Sequence, residues 1–254
     1  MVRDPDKETI AGFAKGLRVI EAFDAGRPQL TITDVAGLTG LERATARRCL
    51  LTLVRDGYAD YDGKFYRLTP KVLRLGFAYL SSTPLPRLVQ PFLEQLATQT
   101  GESCSAATLD GAEIVYIARA SQRRVMSIGL SVGSRLPAYC SSMGRVLLAS
   151  LGEKERRALL DALPREKLTP RTITSMSELL AAVEKAREDG HAAIDQELEV
   201  GLRSIAVPVM DAGGRVVAAI NVGAQAERVS IDEMRERFLP LLRRAQDELQ
   251  RLLV

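Results

Sequence analysis

A chain of 254 residues is long for one average domain and comfortable for two, each able to bury its own core. Hydrophobic residues make up 46% and charged residues 26%, the balance of a globular rather than a disordered chain, and no apolar run approaches the roughly 20 residues of a membrane span. The net charge of +3 is too small to imply a nucleic-acid partner by itself, so its distribution carries the information.

Through residue 80 there are 13 Lys/Arg against 10 Asp/Glu, and beyond it 22 of each, so the whole excess sits in the first third. It concentrates between Arg43 and Arg55, where Arg43, Arg47, Arg48 and Arg55 face only Glu42. Such clustering fits a phosphate-binding surface, and equally a solvated helix face. The opening MVRDPDKE is charged and no apolar run follows it, so no secretory leader is expected. Cys49, Cys104 and Cys140 are odd in number and far apart, matching neither a disulfide framework nor a zinc spacing. No metal or cofactor is expected, and the expected compartment is the cytoplasm.

Periodicity decides between the two readings of the arginines. Phe13, Leu17, Ile20 and Phe23 fall on one helical face with Val19 beside it, and Ala25-Gly26-Arg27-Pro28 stops that helix. Thr33 is placed to cap a short helix carrying Val35, Ala36 and Leu38. Gly40 supplies a sharp turn, Leu41 fills the angle, and a second helix buries Ala46, Cys49, Leu50 and Leu53. This is a helix-turn-helix. Opposite its buried stripe the second helix presents Arg43, Ala44, Arg47 and Arg48. Arginine forks suit guanine or phosphate, Thr45 suits phosphate, and Ala44 suits a thymine methyl. Two short strands around Asp62-Gly63 follow, predicting a wing with Lys64 at its tip; the bland reading of Lys64 is a solvated turn lysine.

Thr69 and Pro70 open a helix reaching about Ser81, and Ser81 to Pro86 break it. The predicted organisation is a winged helix-turn-helix over 1–69, a linker helix over 70–83 and a ligand-sensing domain over 84–254. The apolar content of 70–83 (Val72, Leu73, Leu75, Phe77, Tyr79, Leu80) is high for a spacer and points to burial against a second subunit. Beyond it come a helix to Thr100, a hairpin turning at Asp110-Gly111, a strand near 125–130 and a helix over Cys140 to Leu151. Charged helices follow at 153–163 and 177–189, then a hairpin turning at Asp211 to Gly214 and a long helix from Ile231. A mainly antiparallel sheet with helices packed on it makes this an α+β sensor of the GAF or PAS kind.

With these elements in place, the chain resembles the IclR family of transcriptional regulators over nearly its full length. The resemblance is carried by LTPKVLRLG (68–76), GSRLPAYCSSMGRVLLA (133–149), ELEVGLRSIAVPV (197–209) and VVAAINVGA (216–224). AKGLRVIEAFD (14–24) and GESCSAATLDGAEIVYIAR (101–119) are similar to the branch that regulates aromatic-acid catabolism through the β-ketoadipate pathway. Glu42 departs from the family, which more often has Ser or Pro there. An acid suits the helix dipole but repels phosphate.

The resemblance implies a dimer or tetramer that binds double-stranded operator DNA and senses 4-hydroxybenzoate, protocatechuate or β-ketoadipate. It also implies an effector pocket at Val125, Leu136, Ser142, Met143, Asp195, Ser204, Asn221 and Gly223. From the residues themselves, Ser204 and Asn221 fall on two arms of one hairpin, and Ser141 and Ser142 open a helix suited to a carboxylate. Arg135 and Arg203 are the expected fixed cations for an acid ligand, although scaffold roles fit both. The alternative is a GAF-like enzyme, or a sensor with no DNA-dependent role. Against an enzyme, His191 sits at a helix-ending turn, and Cys140 has no neighbouring His or Lys in sequence to act as base. No P-loop, HExxH or nucleophile elbow is found.

Overall fold

The protein is described here by a computed structural model covering residues 9–24, 26–121, 129–162 and 164–253. It divides into two units, Met1–Ser81 and Ser82–Val254.

In the first unit, α1 (Ala11–Glu21), α2 (Ile32–Thr39) and α3 (Arg43–Arg55) enclose a core of Val19, Leu30, Val35, Ala46, Leu50 and Leu53. The α2 start differs from expectation. Thr31, not Thr33, caps it, in a reciprocal box with Asp34 that satisfies two otherwise orphaned backbone donors. Gly40 then takes φ +66°, the left-handed turn between α2 and α3. On α1 the apolar face divides: Val19 enters the core with Ile20 packed against it, as does Phe23 just past the helix end, whereas Phe13 is 68% exposed and Leu17 is exposed too. Cys49 is only half-buried on α3.

The wing pairs β1 (Ala59–Tyr61) with β2 (Tyr66–Leu68) around Gly63 at φ +101°. Asp62 Oδ1 accepts the Lys64 and Phe65 N–H groups at 3.0 and 2.8 Å, closing the turn. Tyr66 also exchanges backbone hydrogen bonds with Leu30, which ties the wing to the helices. Thr69 caps a single 3-10 turn, Pro70–Val72, that leads into α4 (Leu73–Ser82).

The second unit is built on an antiparallel sheet of β3 (Ser103–Asp110), β4 (Glu113–Ala120), β5 (Arg135–Pro137), β6 (Ala192–Asp195), β7 (Leu202–Met210) and β8 (Val216–Gln225). Their order is β5-β4-β3-β8-β7-β6. One face buries Cys104, Ala106, Ile205, Val207, Ile220 and Val222 against α5 (Leu85–Thr100) and the C-terminal helix. The other packs Ala107, Ala206 and Ala219 against α6 (Ser142–Ala149) and α8 (Met176–Asp189), with α7 (Glu153–Asp161) between them in sequence. Small residues on this second face leave room above the sheet. The C-terminal helix is less regular than expected: α9 (Ile231–Glu233) widens into a π turn at Met234–Phe238 before α10 (Leu239–Leu252). Pro240 lies just beyond, and its missing N–H interrupts the helical ladder there. Of the strand expected near 125–130, residues 125–128 lie outside the described residues. Among the described residues no helix is long and apolar enough to cross a membrane.

Candidate functional site

Two sites emerge, one in each unit. On α3 the core stripe Ala46, Leu50 and Leu53 turns Arg43, Ala44, Arg47 and Arg48 outward, while Thr45 is half-buried. Among the described residues none of these three arginines has an acid partner, in contrast to Arg55, which is bound to Asp56 at 2.9 Å. The face keeps its charge available for phosphate. Lys64 stands exposed at the wing tip with its ammonium 4.9 Å from the centre of the Phe65 ring.

The second site is a slot between the small-residue face of the sheet and the start of α6. Its walls include Leu136, Ser141, Ser142, Met143, Ser204, Asn221 and Gly223, as expected from the sequence, and further residues that were not foreseen. Those are Ser103, Ser105 and Arg119 on β3 and β4, Ile114, Tyr116, Leu130 and Cys140 towards β5, and Ile194, Leu198 and Leu202 on the far side. The slot is narrow. Its cavity volume is about 30 Å³, so a ring-sized ligand has to part its walls.

Register explains the grouping. Ser105 lies opposite both Asn221 on β8 and Arg119 on β4, and Gly223 lies between Ser103 and Ser204. These residues form two polar rows across the sheet. A β-bulge in β4 breaks strict alternation: Ala106 faces Ala118, but Ala107 faces Tyr116. The extra residue brings Arg119 to the same face as Tyr116 and Ile114. An unbroken period of two would send Arg119 to the opposite face, which is why the sequence pattern missed it.

Two polar atoms in the slot lack partners. The Ser142 hydroxyl and Asn221 Oδ1 are buried with no hydrogen bond among the described residues. Such orphans cost about 1–3 kcal/mol each unless something supplies the bond. Ser141 is already used, its oxygen accepting the Gly144 N–H at 3.2 Å to cap α6. Burial pushes the Cys140 thiol up to about 12, so it is not a thiolate at neutral pH. Burial likewise raises the Tyr116 phenol to about 12, with Arg119 working in the opposite direction.

Three expected effector residues lie elsewhere. Arg135 binds Glu113 at 2.7 Å and Asp110 at 2.8 Å and does not line the slot. Arg203 is held by Asp195 at 2.6 Å and by the Ala226 and Val229 carbonyls. Burial works against ionisation of Asp195, but its bonds with Arg203 and Gln196 and the charge of Arg171 outweigh it and keep the carboxyl below its usual range. None of the three lines the slot, and each is held in ion pairs, the scaffold arrangement that the sequence left open for the two arginines. Val125 is outside the described residues.

A buried fork supports the slot. Arg145 on α6 meets both oxygens of Glu197 at 2.9 and 2.8 Å and donates to the Tyr139 carbonyl at 2.9 Å. It ties α6 to the 197–202 segment, which contributes Leu198 and Leu202 to the wall.

Comparison with known proteins finds family matches over most of the chain. Residues 13–63 match the IclR helix-turn-helix domain, and residues 77–251 match the family described as bacterial transcriptional regulator IclR C-terminal. The chain is 48% identical over 247 residues to the Pca regulon regulatory protein of Pseudomonas putida, covering 97% of this chain and 84% of that one. The crystal structure of an IclR family transcriptional regulator from Brucella abortus is 27% identical, covers 100% of this chain and 96% of its own, and has a TM-score of 0.85. A double mutant of the PobR inducer-binding domain from Acinetobacter, solved with 3-hydroxybenzoic acid, is 35% identical, covers 65% of this chain and 97% of its own, and has a TM-score of 0.62. With both family domains present in order, the chain is a DNA-binding transcriptional regulator and not an enzyme, and it belongs to the IclR family.

Proposed function

We propose that the regulator responds to a small acid of aromatic catabolism, of the class of 4-hydroxybenzoate, protocatechuate or β-ketoadipate, bound in the slot between the sheet and α6. The observation carrying this reading is a slot with an apolar body and a few convergent polar groups, two of them buried and unpaired among the described residues. The likeness to a Pca regulon regulator and to an inducer domain solved with a hydroxybenzoic acid supports the class. Asn221→Leu removes one orphan and part of the polar row, so it should lower acid affinity and leave ligand-free operator binding near its original strength. Isothermal titration of the full chain, paired with gel shifts, checks both halves. Absence of binding by all three acids rejects the class, and normal binding by the variant rejects the site.

Operator DNA is read by the exposed face of α3, with Lys64 on the neighbouring backbone. Replacing Arg43 or Arg47 with Ala is expected to weaken operator binding by about 1–3 kcal/mol where it contacts a base, with the fold intact. Gel-shift titration at fixed salt measures this; unchanged affinity for both variants removes α3 as the reading face.

The functional unit is at least a homodimer. One helix-turn-helix covers too few base pairs for operator specificity. Phe13 and Leu17 of α1 line an apolar groove together with Leu75 of α4, and Leu73 and Phe77 are 74% and 68% exposed. Apolar side chains this exposed fit a second subunit. Light scattering at micromolar concentration should give twice the chain mass or more. A monomer that still binds operator would contradict the pairing. The acid alters operator affinity through α4 only as far as it binds one conformation better than the other, a coupling of about 1–3 kcal/mol.

A further inference from the structure

Of the arginines set into the second unit, most are matched by an acid. Arg145 has Glu197, Arg156 has Glu184 and Arg203 has Asp195. Arg119 differs. It is half-buried and lines the slot, and among the described residues no carboxylate reaches its guanidinium. Among the described residues its one side-chain hydrogen bond is from Nη1 to Ser105 Oγ at 2.9 Å, a neutral acceptor that fixes the direction of the fork without spending its charge. The β4 bulge that aims it into the slot is a local departure from regular pairing, and it places the cation at the polar end, beside Ser105 and Asn221. Tyr116 and Ile114 lie on the same strand towards the apolar end.

A half-buried cation without a counter-ion is costly, and an anion that enters the slot relieves the cost. We propose that Arg119 is the carboxylate anchor of the effector: its guanidinium, aimed by Ser105, takes the acid group, while the ligand's body lies over Tyr116 and Ile114 towards Leu136. The assignment rests on the effector reading above and names the residue that makes the slot selective for acids over their neutral analogues. It also replaces Arg135 and Arg203, whose forks are already occupied by Glu113 and Asp195.

The test compares an acid with its uncharged counterpart on the full chain by isothermal titration, using 4-hydroxybenzoate against 4-hydroxybenzamide and protocatechuate and β-ketoadipate as further acids. Arg119→Gln should weaken the acids about 10- to 100-fold, the size of a lost charge-assisted hydrogen bond, and leave the amide within about twofold. Arg119→Lys, which keeps the charge but not the fork, should recover part of the loss. A fall in acid and amide affinity together would mean that the variant only disturbs the slot, and would overturn the assignment. So would acid binding that Arg119→Gln leaves unchanged. If the parent chain binds none of the three acids, the effector reading itself fails and the anchor falls with it.

Discussion

Glu197→Ala should destabilise the second unit by about 3–5 kcal/mol, one of the largest effects expected of any single change in the chain. The Arg145 and Glu197 side chains are 6% and 10% exposed, and both fork nitrogens are engaged. Removing the carboxylate strands a guanidinium in a site it cannot leave without dragging α6 from the sheet. The Tyr139 carbonyl keeps one bond but no charge. The cost is therefore that of an uncompensated buried ion rather than the net worth of the pair, which is much smaller. Removing both partners together, as Arg145→Met with Glu197→Leu, should recover most of the loss. Urea unfolding monitored by circular dichroism separates these cases. A midpoint unchanged in Glu197→Ala would show that the fork is solvated in solution. Because the fork also holds the wall formed by Leu198 and Leu202, Glu197→Ala should weaken acid binding as well.

What could be read from the sequence, and what could not, follows from the range of the interactions involved. Gly40 between two apolar stripes announces the helix-turn-helix because a left-handed turn and a 3.6-residue period are local. The outward position of Arg43, Arg47 and Arg48 follows from the same period. Phe13 and Leu17 show the limit of periodicity: an apolar stripe marks a helical face, but it does not say which of its residues enter the core. Part of the slot was legible from the residues, since Ser204 and Asn221 fall on two arms of one hairpin and Ser141 and Ser142 open a helix; Leu136, Met143 and Gly223 came from the family resemblance alone. Arg119 was not, because its facing depends on a bulge that only pairing with β3 creates. Between ligand cation and scaffold brace the sequence left Arg135 and Arg203 open, because Glu113 and Asp195, which pair with them, lie 22 and 8 residues away and meet them only across the sheet. Ion pairing is a tertiary fact, so a lone arginine near a pocket motif cannot be told from a braced one by spacing.

Gly144→Ala should invert the usual sign of a helical glycine substitution. In an open helix position the exchange stabilises by about 1 kcal/mol, because alanine loses less backbone freedom on folding. Gly37 in α2 is such a position, with nothing near the site of an added Cβ. Gly144 is the opposite case. A Cβ there would lie 2.3 Å from both the Cα and the carbonyl oxygen of Ala138, and 2.6 Å from its carbonyl carbon. These are backbone atoms of the turn that leads from β5 into α6, so no side chain can swing aside. Either α6 rises from the sheet or the 138–141 turn is displaced. Overpacking of this kind costs about 1–3 kcal/mol and sometimes more, and contact with backbone places it at the upper end. After the propensity gain is set against it, a net loss of about 2 kcal/mol remains. The same displacement moves Cys140, Ser141 and Ser142, which sit at the slot, so acid affinity should fall while operator binding in the absence of ligand persists. Calorimetry on Gly144→Ala and Gly37→Ala, with the parent chain as reference, should show opposite shifts in melting temperature. A Gly144→Ala protein as stable as the parent, with unaltered acid affinity, would mean that α6 does not pack against Ala138 as closely as these distances require.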